Sequence, residues 1–272
     1  MTPEQARAAR ELLGFYAEAG VDALLCEEPR DRLSAPPPEN PPASGPEPRI
    51  VDAREIRLAP PPRATPDSAP ATPEIAVMAA REAARSAVSL TELREILAKF
   101  EGCALRTTAK QLVFADGNPQ ARVMFVGEAP GREEDLEGLP FVGRSGKLLD
   151  LMMAAIGINR TTAYIANIIP WRPPGNRTPT PQESQTCLPF IQRQIELADP
   201  DVLVCLGGPA TQTLLGVKEG IKRMRGRWFS FNTGTREIRA IATFHPAYLL
   251  RSPLEKRFAW RDFLAIRKAL EA

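Results

Sequence analysis

The C-terminal part of the chain alternates strand-like apolar runs with helical segments, which limits its fold more than any other feature. Four apolar runs are predicted strands, at 122–127, 163–169, 201–206 and 236–243. Helical segments follow them, at 148–156, 181–198, 209–215 and 254–271. Such alternation favours a parallel sheet covered by helices. We therefore predict an α/β fold, a single three-layer domain with a central, mainly parallel four-stranded sheet, whose functional loops lie at the carboxyl ends of the strands.

The N-terminal part has a different composition. Residues 34–73 hold 13 of the 28 prolines and cannot bury much apolar surface, so we predict a flexible linker. A short helix is predicted at 3–19, which makes residues 1–33 a helical element and a candidate docking site for an unknown protein. The folded domain is predicted to span 74–272, with Ser89 and Glu92 forming a capping box at a helix start.

Composition excludes several classes. The formal net charge of +2 permits a nucleic-acid partner without requiring one. The chain shows neither a secretory leader nor the roughly 18 apolar residues of a membrane span, so we expect a cytoplasmic protein. Its four cysteines form no CxxC pair and its single histidine is His245, which argues against a disulfide framework and a structural zinc site.

The loop after the first predicted strand combines glycine, proline and acids. It runs from Gly127 through Ala129 to Gly131, and then through Glu134, Asp135 and Phe141 to Gly146. A phosphate-binding loop is the simple alternative, but the spacing matches neither common motif and the acids would repel a phosphate. Acids here suit hydrogen bonding to an uncharged ring, water orientation or stabilisation of a cation. A solvated acidic turn is the alternative for Glu134 or Asp135.

Two further strands end in polar groups. Asn167 lies in an apolar strand, where its amide would match the edge of a pyrimidine or pair within the core. The Pro-rich loop after it carries Arg172 and Arg177, which suit a nucleic-acid backbone. The fourth strand ends at His245, and the Leu-Leu-Arg of 249–251 fits either helix-cap packing or a wedge into stacked DNA.

Together the three loops resemble the uracil-DNA glycosylase superfamily, and most closely its family 4. The matching pieces are VGEAPG…ED…G.PFVG..G.LLD at 126–150, N…RPPGNR.P at 167–179 and FHPAYLLR at 244–251. The resemblance covers about residues 95–268. It implies that uracil, flipped out of DNA, is bound in a pocket at the sheet edge.

The resemblance also implies roles for individual residues. Phe141 would stack on uracil, Asn167 would read its polar edge, and His245 would donate to O2 of the leaving base. Glu128, with Glu134 or Asp135, would orient water and stabilise the sugar cation. Gly127 and Ala129 would close around the base. The DNA-contacting residues would be Arg144, Ser145, Arg172, Asn176, Arg177, Leu249, Leu250 and Arg251.

The chain departs from family 4 at the four cysteines that hold an iron–sulfur cluster. Phe100 and Trp171 replace two ligands, whereas Cys103 and Cys187 match the other two. Ligation by four cysteines is then excluded. We predict no cofactor, with the two aromatic rings filling the space as a small apolar core.

Other departures concern specificity. Ala129 stands where another family places a water-activating aspartate, and Gly131 stands near the tyrosine that excludes thymine there. A roomier pocket could accept other deaminated bases. We expect a monomeric, monofunctional glycosylase acting on single- or double-stranded uracil-containing DNA at the bacterial nucleoid, with no membrane partner. The alternatives are a catalytically weak DNA-binding or polymerase-associated module and a nucleotide-binding Rossmann-like enzyme.

Overall fold

The computed structural model describes residues 73–271, with the side chain of Pro73 left out. The predicted helix at 3–19 and the linker at 34–73 thus lie outside the described residues, apart from the last position of the linker. No described helix is long and apolar enough to cross a membrane.

The described chain forms one mixed sheet with helices on both faces. Its strands are β1 (Asp116–Gly117), β2 (Val123–Gly127), β3 (Tyr164–Asn167), β4 (Val202–Leu206), β5 (Trp228–Asn232) and β6 (Glu237–Thr243). Its α-helices are α1 (Pro73–Ser86), α2 (Leu90–Lys99), α3 (Leu105–Thr108), α4 (Arg132–Glu137), α5 (Arg144–Ala154), α6 (Pro181–Ala198), α7 (Gly208–Leu215), α8 (Ile221–Met224), α9 (Pro246–Arg251) and α10 (Lys256–Glu271). Two 3₁₀ turns span Pro174–Asn176 and Pro253–Glu255.

The sheet order is β1-β3-β2-β4-β6-β5. The four predicted strands are β2, β3, β4 and β6, and they pair in parallel as predicted. The short strands β1 and β5 add antiparallel edges that the sequence prediction lacked. The chain moves from β2 to one side and from β4 to the other, so the switch in strand order lies between β2 and β4, where ligands bind in such sheets.

Alternate residues of the central strand enter two cores. Met124 and Val126 pack in the core on the side of α2 and α6. Val123 and Phe125 pack on the opposite side, where the core includes Leu149 of α5 and Phe263 of α10. This two-residue period is that of a strand buried on both faces. The sheet is therefore covered by apolar packing on both faces.

Local capping explains the helix starts that border the functional loops. Glu183 N–H donates to the Thr180 hydroxyl at 3.2 Å and Thr180 N–H donates to the Glu183 carboxylate at 2.7 Å, which is a capping box at the start of α6. At α2, Glu92 N–H donates to Ser89 as predicted, but the Glu92 carboxylate accepts from Val88 N–H. Helix α5 begins at Arg144, four residues before the predicted start at 148.

Candidate active site

The carboxyl ends of the four parallel strands surround one cavity of about 590 Å³. The strand register places Gly127 beside Asn167, and Leu206 beside Thr243. The predicted site residues that line this cavity are Glu128, Ala129, Glu134, Phe141, Ser145, Asn167, Asn176, Arg177, His245 and Arg251. Three sequence-distant loops thus meet at one place, as the strand-end argument requires.

Asn167 ends β3 and is 4% exposed. Its side-chain oxygen Oδ1 is a buried polar atom without a hydrogen-bond partner among the described residues. A Cβ atom at Gly127 would lie 2.4 Å from this oxygen and 2.6 Å from Cζ of Phe141. Glycine at 127 therefore gives the amide and the ring their space. A buried amide oxygen that is left unpaired is costly, and a bound donor would relieve that cost.

Phe141 is a buried ring held in an unusual backbone conformation. Its φ of 55° lies in the left-handed region, and its side chain is 4% exposed. The centroid of its ring is 5.4 Å from that of His245, and the two planes are tilted by 31°. The ring therefore forms one wall of the cavity, opposite open space in which a flat heterocycle could stack.

His245 is the N-cap residue of α9. Ala247 N–H donates to Nδ1 at 3.1 Å, so the proton of the neutral ring lies on Nε2. Burial lowers the pKa of His245 to about 4, and the Arg251 cation acts in the same direction, whereas Glu134 opposes them. At neutral pH the site therefore contains an uncharged imidazole whose Nε2–H is a hydrogen-bond donor.

The two adjacent acids of α4 have different surroundings. The Glu134 carboxylate accepts from the N–H groups of Gly131, Val142 and Gly143 at 3.0, 3.1 and 3.0 Å. It lines the cavity but also holds together the two ends of the motif loop. Because both of its oxygens are bonded to backbone, Glu134 is placed to organise the loop.

Asp135 does not line the cavity, which corrects the expectation that it belongs to the catalytic group. Its carboxylate accepts from the N–H groups of Lys110 and Gln111 at 2.8 and 3.3 Å. Its other oxygen lies 3.9 Å from a guanidinium nitrogen of Arg172. The contacts come from segments 25 and 37 residues away in sequence, so the sequence could not distinguish Asp135 from Glu134.

Glu128 is the acid with the environment of a catalytic carboxylate. It follows β2, lines the cavity, and has its pKa raised by burial. Its backbone carbonyl accepts from Ile169 N–H at 3.0 Å, which fixes the loop to the start of the second motif. This carboxylate can accept a proton or orient a water molecule at the mouth of the cavity.

The predicted DNA-contacting residues divide into two groups. Ser145, Asn176, Arg177 and Arg251 line the cavity, whereas Arg144 and Arg172 do not. Arg177 pairs with Glu183, and Arg172 donates to Asn176 Oδ1 at 2.7 Å.

Leu249 and Leu250 face in different directions. Leu249 is 1% exposed and packs with Phe244 and Ala259, so the prediction that it contacts DNA is corrected. Leu250 is 38% exposed. The first leucine of the pair is core packing for α9, and the second is the free side chain.

Sequence reasoning missed one loop of the cavity. Leu206 ends β4, and Gly207, Gly208 and Pro209 after it line the cavity, as do Ile221 and Tyr248. The Gly-Gly-Pro after a predicted strand end was the available signal. Gly207 has a φ of 92°, and a Cβ there would lie 3.0 Å from Cβ of His245, so only glycine fits closely beside the histidine.

The four positions that correspond to cluster ligands lie on the opposite side of the sheet core from α5. The Sγ atoms of Cys103 and Cys187 are 3.8 Å apart and both residues are buried. Trp171 is 2% exposed in the same core, and the Phe100 ring packs edge-on against Phe190 with centroids 4.9 Å apart. Residues 73–271 contain no group of three or more potential metal ligands. These residues therefore do not fit a four-thiolate cluster.

The fold and the cavity define a class before any comparison. This is an α/β domain in which an amide, an aromatic ring and a neutral histidine meet at the switch point, an arrangement suited to a flat heterocycle. The family model described as "Uracil DNA glycosylase superfamily" matches residues 114–264. The chain belongs to this superfamily.

Several curated proteins are similar to this chain. A type-4 uracil-DNA glycosylase of Archaeoglobus fulgidus is 40% identical over 64% of this chain and 89% of its own length. One of Thermotoga maritima is 43% identical over 59% of this chain and 85% of its own length. A DNA polymerase of Bacillus phage SP01 is 28% identical over 57% of this chain but only 16% of its own length.

Proposed function

We propose that this protein is a monofunctional uracil-DNA glycosylase. It hydrolyses the N-glycosidic bond of uracil in DNA and leaves an abasic site, which begins base-excision repair. The observation that supports this most strongly is the unpartnered Oδ1 of Asn167, which lines the cavity with Phe141 and His245. The type-4 relatives in Archaeoglobus fulgidus and Thermotoga maritima support the same activity.

Base binding follows from the cavity walls. Uracil must leave the duplex to reach them, which costs a few kcal/mol of unstacking that contacts in the pocket offset. Phe141 would stack on the flipped ring. The Asn167 amide would accept from N3–H through Oδ1 and donate to O4, which reads both polar groups of the uracil edge. Cytosine carries a donor and an acceptor in the reverse order and would leave both contacts unpaired.

Bond cleavage requires stabilisation of a negative leaving group. Charge develops on uracil as the glycosidic bond breaks, and the neutral His245 would donate its Nε2–H to O2 as that charge appears. A donor already oriented by the bond between Ala247 N–H and Nδ1 stabilises this charge without rearrangement. Because His245 is neutral before the reaction, it does not have to release a proton to water before the next catalytic cycle.

The sugar becomes positively charged as the base leaves. Glu128 would stabilise this cation and orient the attacking water, because it is the cavity carboxylate whose oxygens are not held by the loop backbone. Glu134 keeps Gly131 and Gly143 in place instead. The only lysine of the three motif loops, Lys147, lies in α5 and does not line the cavity, so a Schiff-base lyase step is not part of the proposal.

DNA would be held along the rim of the cavity. Ser145, Asn176, Arg177 and Arg251 lie there, and Leu250 is the apolar side chain available to fill the gap left by the flipped base. We further propose that a single copy of the chain acts, on single- or double-stranded DNA. Gly131 and Ala129 leave room for other deaminated bases.

We also propose that the domain holds no four-cysteine iron–sulfur cluster. Phe100 and Trp171 supply rings at two of the positions where thiolates would be needed, and both rings belong to the core built around Cys103 and Cys187. Iron and sulfide analysis of protein purified without oxygen tests this. A stoichiometric content of both would overturn it.

Alkali-revealed cleavage of a single-stranded oligonucleotide with one uracil tests the activity. We expect cleavage by the wild type and a large loss in His245→Ala. Arg267→Gln, whose side chain pairs with Glu271 at the far end of α10, is a control expected to retain activity. No cleavage of uracil or of other deaminated bases, together with retained DNA binding, would favour the second candidate, a catalytically weak DNA-binding or polymerase-associated module, for which the similarity to a phage DNA polymerase is the motivating observation.

A further inference from the structure

Arg160 lies outside the three motifs, yet it contacts the backbone of the base-stacking residue. It follows α5 in a turn where Thr162 N–H donates to the Asn159 carbonyl and Asn159 N–H donates to the Thr162 hydroxyl, each at 3.0 Å. From this turn the guanidinium donates to the carbonyl of Phe141, and to that of Pro140 at 3.1 Å. The turn and the carbonyls are about 20 residues apart in sequence.

Two acids hold the guanidinium in place. Its Nε donates to Asp150 at 2.9 Å, and Nη1 pairs with Asp116. Asp150 belongs to α5 and Asp116 to β1, so the cation is fixed from two elements. The Arg160 side chain is only 26% exposed, so its orientation is determined by these bonds. Planar donors arranged in a fixed fork suit several simultaneous acceptors.

The contacted residue needs an external restraint. Phe141 has a φ of 55°, an unfavourable conformation for a bulky side chain that persists only where surrounding contacts enforce it. Directly after Phe141, the N–H groups of Val142 and Gly143 donate to Glu134. Arg160 therefore binds the carbonyls of the two peptide units that flank the strained residue, while Glu134 binds the N–H of the second unit.

The surrounding packing leaves the Phe141 backbone little room to move. A Cβ at Gly146 would lie 1.6 Å from the Phe141 carbonyl oxygen, so α5 already lies against this group. A Cβ at Gly127 would lie 2.6 Å from the Phe141 ring. A shift of the Phe141 backbone would carry the ring away from the position in which it faces His245.

We propose that Arg160 is a positioning residue for uracil recognition: it fixes the strained Phe141 backbone so that the ring presents a preformed stacking surface. Arg160 touches neither substrate nor reacting atoms, and acts through Phe141. The inference rests on the proposed function, because it assumes that a base stacks on this ring.

Arg236 offers a matched control at the opposite end of the sheet. Its guanidinium makes the same kind of network, pairing with Asp199 and Asp201 and donating to the carbonyls of Asp199 and Pro200. None of these residues lines the cavity. Substitution of Arg236 therefore removes a comparable number of bonds without affecting Phe141.

The experiment compares Arg160→Lys with Arg236→Lys. Lysine keeps the charge between the acids but cannot donate to two acids and two carbonyls together. We expect Arg160→Lys to lower kcat/KM on uracil DNA at least tenfold and to weaken binding of free uracil, measured by calorimetry, at least fivefold. Arg236→Lys should keep both within twofold. Both variants should bind DNA carrying a stable abasic-site analogue as the wild type does, because that ligand has no base to stack.

Each other outcome decides against the proposal. Free-uracil affinity that is unchanged in Arg160→Lys, or equally weakened in Arg236→Lys, would overturn the positioning role while leaving the glycosylase intact. If the wild type neither excises uracil nor binds the free base, both the positioning role and the proposed glycosylase activity would be contradicted. If Arg160→Lys does not fold, Asp150→Asn replaces it, since it weakens the same network at a half-exposed acid. Wild-type uracil affinity in that variant would then overturn the proposal.

Discussion

The residues proposed to act at this site are those whose surroundings leave a polar group unsatisfied. Among the described residues, Asn167 Oδ1 and His245 Nε2 have no hydrogen-bond partner; burial lowers the pKa of His245 to about 4 and raises that of Glu128. Glu134 and Asp135 show the contrast, because their carboxylates are bonded to backbone N–H groups. Chemistry concentrates where the free protein does not complete its own hydrogen bonds.

Asn167→Ala separates a role in binding from a role in the core. A core asparagine with bonded partners would cost about 1–3 kcal/mol of stability when removed. Here Oδ1 has no partner among the described residues, so we expect little change in Tm and a fall of roughly ten- to a hundredfold in kcat/KM on uracil DNA, corresponding to about 1.4–2.7 kcal/mol. Thermal melts and steady-state kinetics measure both. Lost stability with normal kinetics would contradict the assignment.

The pH dependence of excision should distinguish Glu128 from His245. Glu128 must be ionised to act, and burial raises its pKa above the usual 4.5. As the pH is lowered, the excision rate should therefore fall around a pKa above 4.5. His245 stays neutral until about pH 4 and should add no limb near its unperturbed 6.5. Single-turnover rates of the wild type and Glu128→Gln, measured across pH, test this. The variant should be slow and should lack the fall in rate that is due to protonation of Glu128. A limb near 6.5 that persists in Glu128→Gln would contradict the assignment.

The same histidine affects stability in a defined direction. Its pKa is lowered in the folded state, so the unfolded chain binds more protons below about 6.5. The contribution of neutral, half-buried His245 is therefore complete above pH 6.5 and is lost as the pH falls towards 4. Urea unfolding at pH 7 and pH 5 should show a smaller loss of stability in His245→Asn than in the wild type. An equal loss in both would show that His245 is not the group responsible.

At the scale of elements, the sequence predicted the buried parallel strands but missed the edge strands and the short helices in the loops. The four parallel strands are continuous apolar runs because both faces are covered, and such runs can be recognised in the sequence. Strand β5 has four of its five side chains half-buried or exposed, and β1 has only two residues, so neither has a strong period. The short helices α4, α8 and α9 have only four to six residues each, which is too few to show a helical period in the sequence.

The paired aromatic and cysteine positions allow a prediction about α2, α3 and α6 together. Removing the half-buried ring of Phe100 and the buried ring of Trp171 in Phe100→Cys with Trp171→Cys should leave a cavity and destabilise the protein by several kcal/mol. The same change would bring four thiols to the core of Cys103 and Cys187. We expect the double variant reconstituted with iron and sulfide to retain both and to recover Tm, whereas the single variant Trp171→Cys should only lose stability. Failure of the double variant to bind iron would show that these positions do not face a common centre.

At the scale of the whole molecule, the residues that the structure places at the site all belong to the domain described for residues 73–271. Helix α1 belongs to that domain, because Ala80 and Ala84 are buried in the same core as Ile191 of α6, and Arg193 donates to the Ala87 carbonyl just after it. The predicted domain start at 74 stays a prediction, because residues 1–72 lie outside the described part of the chain. Among the described residues, those that line the cavity run from 128 to 251.

Two deletions test this division. Removal of residues 1–70 should leave the Tm and uracil excision unchanged within about twofold, since every contact described for the site and both cores remains. Removal of residues 1–88 also takes away α1 and uncovers the apolar side of α6, which should lower the free energy of unfolding by several kcal/mol at about 25 cal/mol per Å² of apolar surface exposed. Activity at low temperature should survive the second deletion where the protein still folds, because α1 contributes no residue to the cavity. Loss of excision on the first deletion alone, in protein that melts normally, would instead assign residues 1–70 a direct part in binding DNA.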